Sequence, residues 1–286
     1  MSTITQGSRV FHPNQKEWGL GKVLSTTPDN IDVFFVGTGL KRLSRSFAKL
    51  EIAEGAASKH RLLDNLIEAS LISSDDYVTL PMAIDRFLAS YPDGLEDKRF
   101  IKETRDACLR GHQACIQLLG QEELSGLIAA GKFQDVCDRA RHVESMTNLL
   151  TKSERKALHD ALDQPQSQKL FSVSLAELFY GAGDEEARFK HFIRTLGILQ
   201  INKWPIATVF SFIRFPQLNA FVKTTVIQNS AKAFCWRINY KPETNWKTYA
   251  LILRLYNYVR TNLVEEGMVS RDLIDVQSFI WFAGQK

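Results

Sequence analysis

The sequence predicts an α+β chain in which a small N-terminal β-barrel precedes a larger all-α domain. Three observations carry this. Residues up to Leu50 alternate short β-branched and aromatic runs with turn residues. After Leu50 the apolar spacing changes from period two to helical. From there to the end, helix starts and stops follow one another. A length of 286 residues accommodates two domains, or one large domain with a small appendage.

The first strands are Arg9-Val10-Phe11, Gly21-Lys22-Val23-Leu24 and Ile31 to Val36. Gly19 and Gly21 bracket Leu20, where a sharp turn needing φ > 0 is expected. Pro28-Asp29-Asn30 and Gly37-Thr38-Gly39 separate the later runs, and Leu40 to Leu43 supplies one more strand with Lys41 and Arg42. Four or five strands this short cannot form an open two-layer domain, so they are expected to curl into an SH3-like barrel spanning residues 1–54.

Glu54 to Ser58 is small and flexible and opens a linker over 55–80, with a connector helix marked by Leu62, Leu63, Leu66, Ile67 and Ser70. The all-α domain then occupies 81–286 with roughly ten helices. Its expected helices run over Pro81–Tyr91, Lys98–Leu119, Glu122–Ala130, Phe133–Met146 and Lys152–Leu162, the last capped by Thr151 or Ser153. Ser167–Tyr180 and Asp184–Leu196 follow, the second opening on three acids that suit a helix N-terminus. Further helices close before Arg214, run over Thr224–Trp236, and run from Trp246 to Glu265 behind a Thr244 or Asn245 cap. Ser270 is expected to cap the last one. No period of 20–50 residues recurs, so the pattern is not a solenoid.

Composition excludes some classes. No apolar run approaches bilayer-spanning length and Met1 to Gly7 lacks a secretory hydrophobic region, so a cytoplasmic location is expected. Four cysteines in a chain this long do not make a disulfide framework. Charge is unevenly distributed: residues 201–262 hold nine Lys/Arg against the single acid Glu243, whereas 55–200 hold 18 against 22.

Residues Gly7, Val10, His12, Gly19, Gly21, Val23, Val33, Phe35, Gly39, Lys41, Leu43 and Leu50 resemble the Tudor-like domain at the C-terminus of UvrD/PcrA-type repair helicases. They are also similar to CarD-like and transcription-repair coupling modules and to the DUF3553 family. The insertion His12 to Trp18 departs from the helicase pattern towards DUF3553. The resemblance covers about one sixth of the chain and implies a barrel that docks on a protein, often RNA polymerase, partly by pairing a strand edge. Tyr91-Pro92-Asp93-Gly94, Lys203-Trp204-Pro205 and Asp275 to Trp281 resemble an uncharacterised bacterial helical family, which implies no activity.

Four groups of residues can carry function. Lys203, Arg214, Lys223, Lys232, Arg237, Lys241, Lys247 and Arg254 (with Arg260) interleave with Trp204, Phe215, Trp236, Tyr240, Trp246 and Tyr256. Cations neutralise phosphates and aromatic faces stack on bases, so the segment suits nucleic acid. The same composition also suits core aromatics with a solvated cationic face. Trp18, Lys41 and Arg42 are the candidate partner-binding residues, although Trp18 suits a cap on the barrel core better. Cys108, His112 and Cys115 share a helical face, with Cys137 or His142 as a fourth zinc ligand, but buried cysteines at this spacing suit a plain core better. Asp184, Glu185, Glu186 and Lys190, and Asp272 with Asp275 near Gln277, are the acid clusters; each reads as first-turn acids of a helix.

P-loop, HExxH, G-x-S-x-G and Rossmann patterns are absent, so neither catalytic residues, a metal nor a cofactor are assigned. The expected function is a non-catalytic bacterial accessory protein of DNA transactions. Its barrel would dock on a protein partner such as RNA polymerase or a helicase, and its basic face would touch DNA or RNA. Two other readings stay open: an interaction adaptor in phage defence or stress response, and an enzyme acting on nucleic acid through residues distant in sequence.

Overall fold

Strands β1 (Arg9–Phe11), β2 (Gly21–Thr26), β3 (Asn30–Phe35), β4 (Gly39–Ser44) and β5 (Glu51–Ile52) form one antiparallel sheet, ordered β4-β3-β2-β1-β5. The computed structural model describes residues 3–72 and 77–285, so residues 73–76 of the 55–80 connection and Lys286 lie outside the described residues. The sheet curls around Val10, Val23, Ile31, Val33 and Phe35, with Leu43 and Leu50 closing the cluster. Leu24 is an extra residue in the β2–β3 ladder, since Val23 pairs with Val33 and Ser25 with Asp32; such a bulge bends the strand. Gly21 permits the curl by close approach: a Cβ there would lie 2.7 Å from the Phe35 ring and from Val33. Positive φ is expected at Gly19 and Gly21 alike; Gly19 has it, at 68°, and Gly21 does not.

The convex face of the sheet is not solvated. Leu20, Leu24 and Phe34 belong to the core of the helical part, which is why Val33, Phe34 and Phe35 are all fully buried. Period-two alternation fails in β3 because both of its faces are covered. Tyr77 fastens this contact, its ring 4.8 Å from Phe34 and its hydroxyl donating to the Val36 carbonyl at 2.6 Å.

The helices begin with α1 (Arg61–Asp64) and α2 (Leu80–Ser90), followed by α3 (Lys98–Phe100), a π-helical turn over Ile101–Arg105 and α4 (Asp106–Leu118). Next come α5 (Gln121–Ala129), α6 (Phe133–Ser145), α7 (Lys152–Leu162), α8 (Pro165–Tyr180) and α9 (Glu185–Ile198). The chain ends with α10 (Trp204–Arg214), α11 (Thr224–Ala233), α12 (Trp246–Glu265) and α13 (Leu273–Ala283), which makes thirteen α segments among the described residues. Of the expected cap candidates, Thr151 and Asn245 accept the backbone N–H of Glu154 and Thr248; Asp184, expected as a first-turn acid, instead caps α9 by accepting from Ala187. Every residue of α10 from Trp204 to Ile213 is buried, because α4, α7, α8 and α9 surround it. In the other half, α13 packs on α2, α11 and α12.

Four expectations about the helices need correction. The connector helix is a single turn, since Leu66 leaves helical geometry to bridge Trp236. Lys98–Leu119 is interrupted by the π turn. Asp272, not Ser270, caps α13 by accepting the Ile274 N–H at 2.9 Å. Asp272 and Asp275 are also more than first-turn acids: Arg105 holds Asp272 through two 2.7 Å bonds and Asp275 at 3.0 Å, all buried. Arg271 completes the cluster, its Nε 2.8 Å from Asp275.

His60 marks the passage between the two parts. Its Nδ1 accepts the Leu62 N–H at 3.2 Å, which caps α1 only while that nitrogen is unprotonated. Burial pushes its pKa below the usual 6.5, with Arg9 adding to this against Asp64 and Glu265. A proton is thus disfavoured in the folded chain and freely accepted in the unfolded one. This stabilisation is complete above the ordinary histidine range and is lost as pH falls through it. Wild-type Tm should therefore drop between about pH 7 and about pH 5, and His60→Asn, which still caps but cannot titrate, should flatten that slope. His159, also lowered chiefly by burial, leaves a residual slope. An unchanged slope in His60→Asn, followed by circular dichroism, would refute the assignment.

Candidate nucleic-acid interface and partner-binding surface

Arg9 and Lys22 are register partners on β1 and β2. Both reach from the sheet to the helical part. Arg9 Nη2 lies 2.6 Å from Asp64 Oδ1, and Lys22 Nζ donates to the Leu63 carbonyl at 3.2 Å. Beyond α1 the backbone runs antiparallel to residues 235–237: Ile67 N–H donates to Cys235 at 3.0 Å and Arg237 N–H to Asn65 at 2.7 Å. This pairing carries Arg237 to Lys22. The Lys22 pKa is lowered first by burial and then by Arg9, with Arg237 contributing and Asp64 opposing. Three cations from two structural parts therefore feel one another.

The same segment is anchored on α12. Trp236 stacks on Tyr258 at 5.0 Å, and its Nε1 donates to the Leu251 carbonyl at 3.2 Å. Lys247 and Arg254 stand exposed on α12, two turns apart and hence on one face. Further along, Arg61 Nη1 donates to Thr261 Oγ1 at 3.0 Å. From Lys247 to Thr261 the face is about 21 Å long, and α12 carries no acid before Glu265. Lys241 and Lys203 lie exposed near its beginning, where Trp204 Nε1 donates to the Lys241 carbonyl at 2.8 Å.

The other residues of the basic segment lie elsewhere. Arg214 is at the opposite end of α10 from Lys203, half-buried over the Tyr180 and Phe215 rings, with its Nε donating to Tyr180 at 2.9 Å. Lys223 pairs with Glu154 at 3.2 Å and ties the start of α11 to α7. Lys232 is exposed on α11. Of the interleaved aromatics, Trp204, Trp236 and Tyr256 are fully buried, and Phe215, Tyr240 and Trp246 pack partly buried against the core. The surface thus offers cations, and most of its aromatic rings are committed to packing. Sequence reasoning missed Arg9, Lys22 and Arg61 because they fall outside the basic stretch, and no local signal ties them to it.

On the barrel, Trp18 lies half-buried between His12 at 4.9 Å and Phe35 at 5.1 Å, with Lys41 Nζ 5.7 Å over its ring. Arg42, the next residue on β4, projects to the other side and is held by Asp32 through bonds of 2.7 and 3.0 Å. That hydrogen bonding holds the Asp32 carboxyl below the usual range. The structure therefore joins Trp18 to Lys41 and separates both from Arg42. Strand β4 forms one edge of the sheet.

The remaining candidates are engaged in packing. His112 Nδ1 lies 2.7 Å from the Ile213 carbonyl, and burial pushes the Cys108 and Cys115 thiols up to about 12. Among the described residues no group of three or more His, Cys, Asp or Glu is placed to hold a metal ion. Asp184 caps α9, and Lys190 pairs with Glu186. No helix among the described residues is long and apolar enough to cross a membrane.

Comparison with known proteins places the sheet alone. No curated protein and no solved structure matches the chain. The family described as Protein of unknown function (DUF3553) matches residues 4–53, from just before β1 to just past β5.

Proposed function

We propose that the protein is a non-catalytic accessory factor of nucleic-acid transactions that holds a phosphate backbone along the seam between its barrel and α12. The carrying observation is the meeting of Arg9, Lys22 and Arg237 at the seam: Arg9 and Lys22 are register partners that both reach α1, and the backbone at Arg237 pairs with Asn65 just beyond α1. Asp64 offsets Arg9 by direct contact, and the three cations still leave the seam with a net positive charge that attracts a polyanion. Lys247 and Arg254 extend this track, and neither has an ion-pair partner among the described residues. With most aromatics committed to packing, the expected contacts are to phosphates, so the binding is sequence-tolerant. In this reading the Trp18–Lys41 patch and the open edge of β4 dock a protein partner, as the resemblance to UvrD/PcrA and CarD-like Tudor modules implies for RNA polymerase or a helicase.

Fluorescence anisotropy of labelled single-stranded DNA, duplex DNA and RNA against the full chain across a salt series tests this. The logarithm of the affinity should fall linearly with log salt. Arg237→Glu with Arg254→Glu should weaken binding at least about tenfold and reduce the slope by about two. Lys132→Glu, on the exposed turn before α6, should leave both unchanged. No binding at low salt, or an unaltered slope in the double variant, would leave the adaptor reading in its place.

A further inference from the structure

The π turn of Ile101–Arg105 and the C-terminal helix α13 enclose a cavity of about 320 Å³ that takes no part in the seam. That volume suits a one- or two-ring ligand. Its walls are aromatic: Tyr91 packs 5.3 Å from Phe100 and 6.0 Å from Phe282 as one group, and Trp281 lines the cavity beside them. A π turn inside a helix is rare and is frequent at functional positions. Here the hydroxyl of Thr104 donates back to the Phe100 carbonyl at 2.7 Å, and the turn presents Glu103 and Thr104 to the opening.

Gln277 lines the cavity and is only 4% exposed. Its Oε1 accepts from the Tyr256 hydroxyl, which is shared with the Phe221 carbonyl at 2.9 Å. That contact fixes the amide, and its Nε2 has no partner among the described residues. The anchored Nε2 is left open to the cavity as a donor for a ligand acceptor. Asn148 and Gln285 add two more amides to the lining. Such groups both donate and accept, which matches the mixed hydrogen-bonding edge of a planar heterocycle better than an alkyl chain.

Charge narrows the ligand further. No Lys or Arg lines the cavity, and Glu103 is its one carboxylate, accepting from the Tyr91 hydroxyl at 3.1 Å. A phosphate would enter against that negative charge, and the nearby Arg99 is engaged with the Tyr91 ring at 4.8 Å and with the Ser90 carbonyl. The Cys108 thiol also lines the cavity, and burial pushes it up to about 12, so it offers no thiolate at neutral pH and the site is one of binding rather than covalent capture. We propose that this cavity binds an uncharged nucleobase or nucleoside, stacked on the Trp281 ring and read on its edge by Gln277 and Asn148.

The full chain is titrated by calorimetry with adenosine, guanosine, cytidine and uridine, and with their 5′-monophosphates. At least one nucleoside should bind saturably with a Kd on the order of 0.1 mM, and its monophosphate severalfold more weakly. Trp281→Ala, at the partly exposed rim, should weaken the nucleoside at least about tenfold without altering the far-ultraviolet circular dichroism. Glu103→Gln should narrow the gap between nucleoside and monophosphate. Absence of saturable binding for all four nucleosides up to about ten times that Kd would overturn the proposal. So would binding that Trp281→Ala and Asn148→Ala leave unchanged, or a monophosphate that binds as tightly as its nucleoside. Because the readout uses mononucleosides, it stands or falls separately from salt-dependent polynucleotide binding.

Discussion

Replacing Arg105 by Met should cost the fold about 3–5 kcal/mol. The guanidinium is buried and is bonded to both Asp272 carboxylate oxygens at 2.7 Å and to Asp275 at 3.0 Å. Removing it strands Asp272 in a low-dielectric interior, while Asp275 keeps its contacts to Arg271 at 2.8 and 3.0 Å. The penalty comes from the orphaned carboxylate rather than from the lost attraction, because a buried ion pair as a whole contributes little against its desolvation. This leads to a second expectation. Asp272→Asn added to Arg105→Met should recover part of the loss, since Asn removes the orphaned charge and still caps α13. Urea unfolding gives both numbers, and Tm should fall by about 6 °C or more in the single variant. A loss below about 1 kcal/mol, or a double variant less stable than the single one, would show that the cluster does not hold α13 to the π turn.

Phe34→Ala is expected to be of similar size, about 3–5 kcal/mol, for a different reason. Phe34 is fully buried, but its ring leaves the barrel core and packs against Tyr77 at 4.8 Å. Truncation opens a cavity at the seam between the sheet and the helices, so coupling between them should weaken as well as stability. Phe35→Ala empties the barrel interior instead. Limited proteolysis separates the two outcomes: Phe34→Ala should hasten cleavage in the 53–80 connection, and Phe35→Ala should hasten cleavage within the sheet. Equal patterns for the two variants would mean that the seam is not a separate mechanical element. The same contact argues that the isolated barrel would expose Leu20, Leu24 and Phe34 together, so docking at Trp18 and Lys41 is best tested by Trp18→Ala and Lys41→Glu in the full chain.

Legibility in the sequence followed the range of the interactions. The bounds of α7 and α12 agree with expectation to the residue because caps and apolar spacing are local properties. The expected helix over Leu62–Ser70 failed because Leu66 is spent on a bridge to Trp236, 170 positions away, which no local period reports. The π turn was invisible for a related reason: one extra residue per turn leaves the apolar pattern of Lys98–Leu119 almost unchanged. Asp272 and Asp275 suited the role of first-turn acids, and only the arrival of Arg105 makes them a buried cluster.

The candidate interface divides in the same way. Counting charges along the chain identified the basic segment, and cations on α12 were countable from spacing alone. That Arg214 and Lys223 would be drawn into contacts with Tyr180 and Glu154, while Arg9, Lys22 and Arg61 joined the track from outside the segment, was not. The sequence by itself determined the two-part α+β architecture, most helices and the uneven charge, because propensity, capping and amphipathic period act over a few residues. Tertiary structure alone decided which cations share a surface, which acids are neutralised in the interior, and that the outer face of the barrel is core. Those outcomes depend on side chains meeting across tens to hundreds of positions, where the chain's path, not its local pattern, sets the distance.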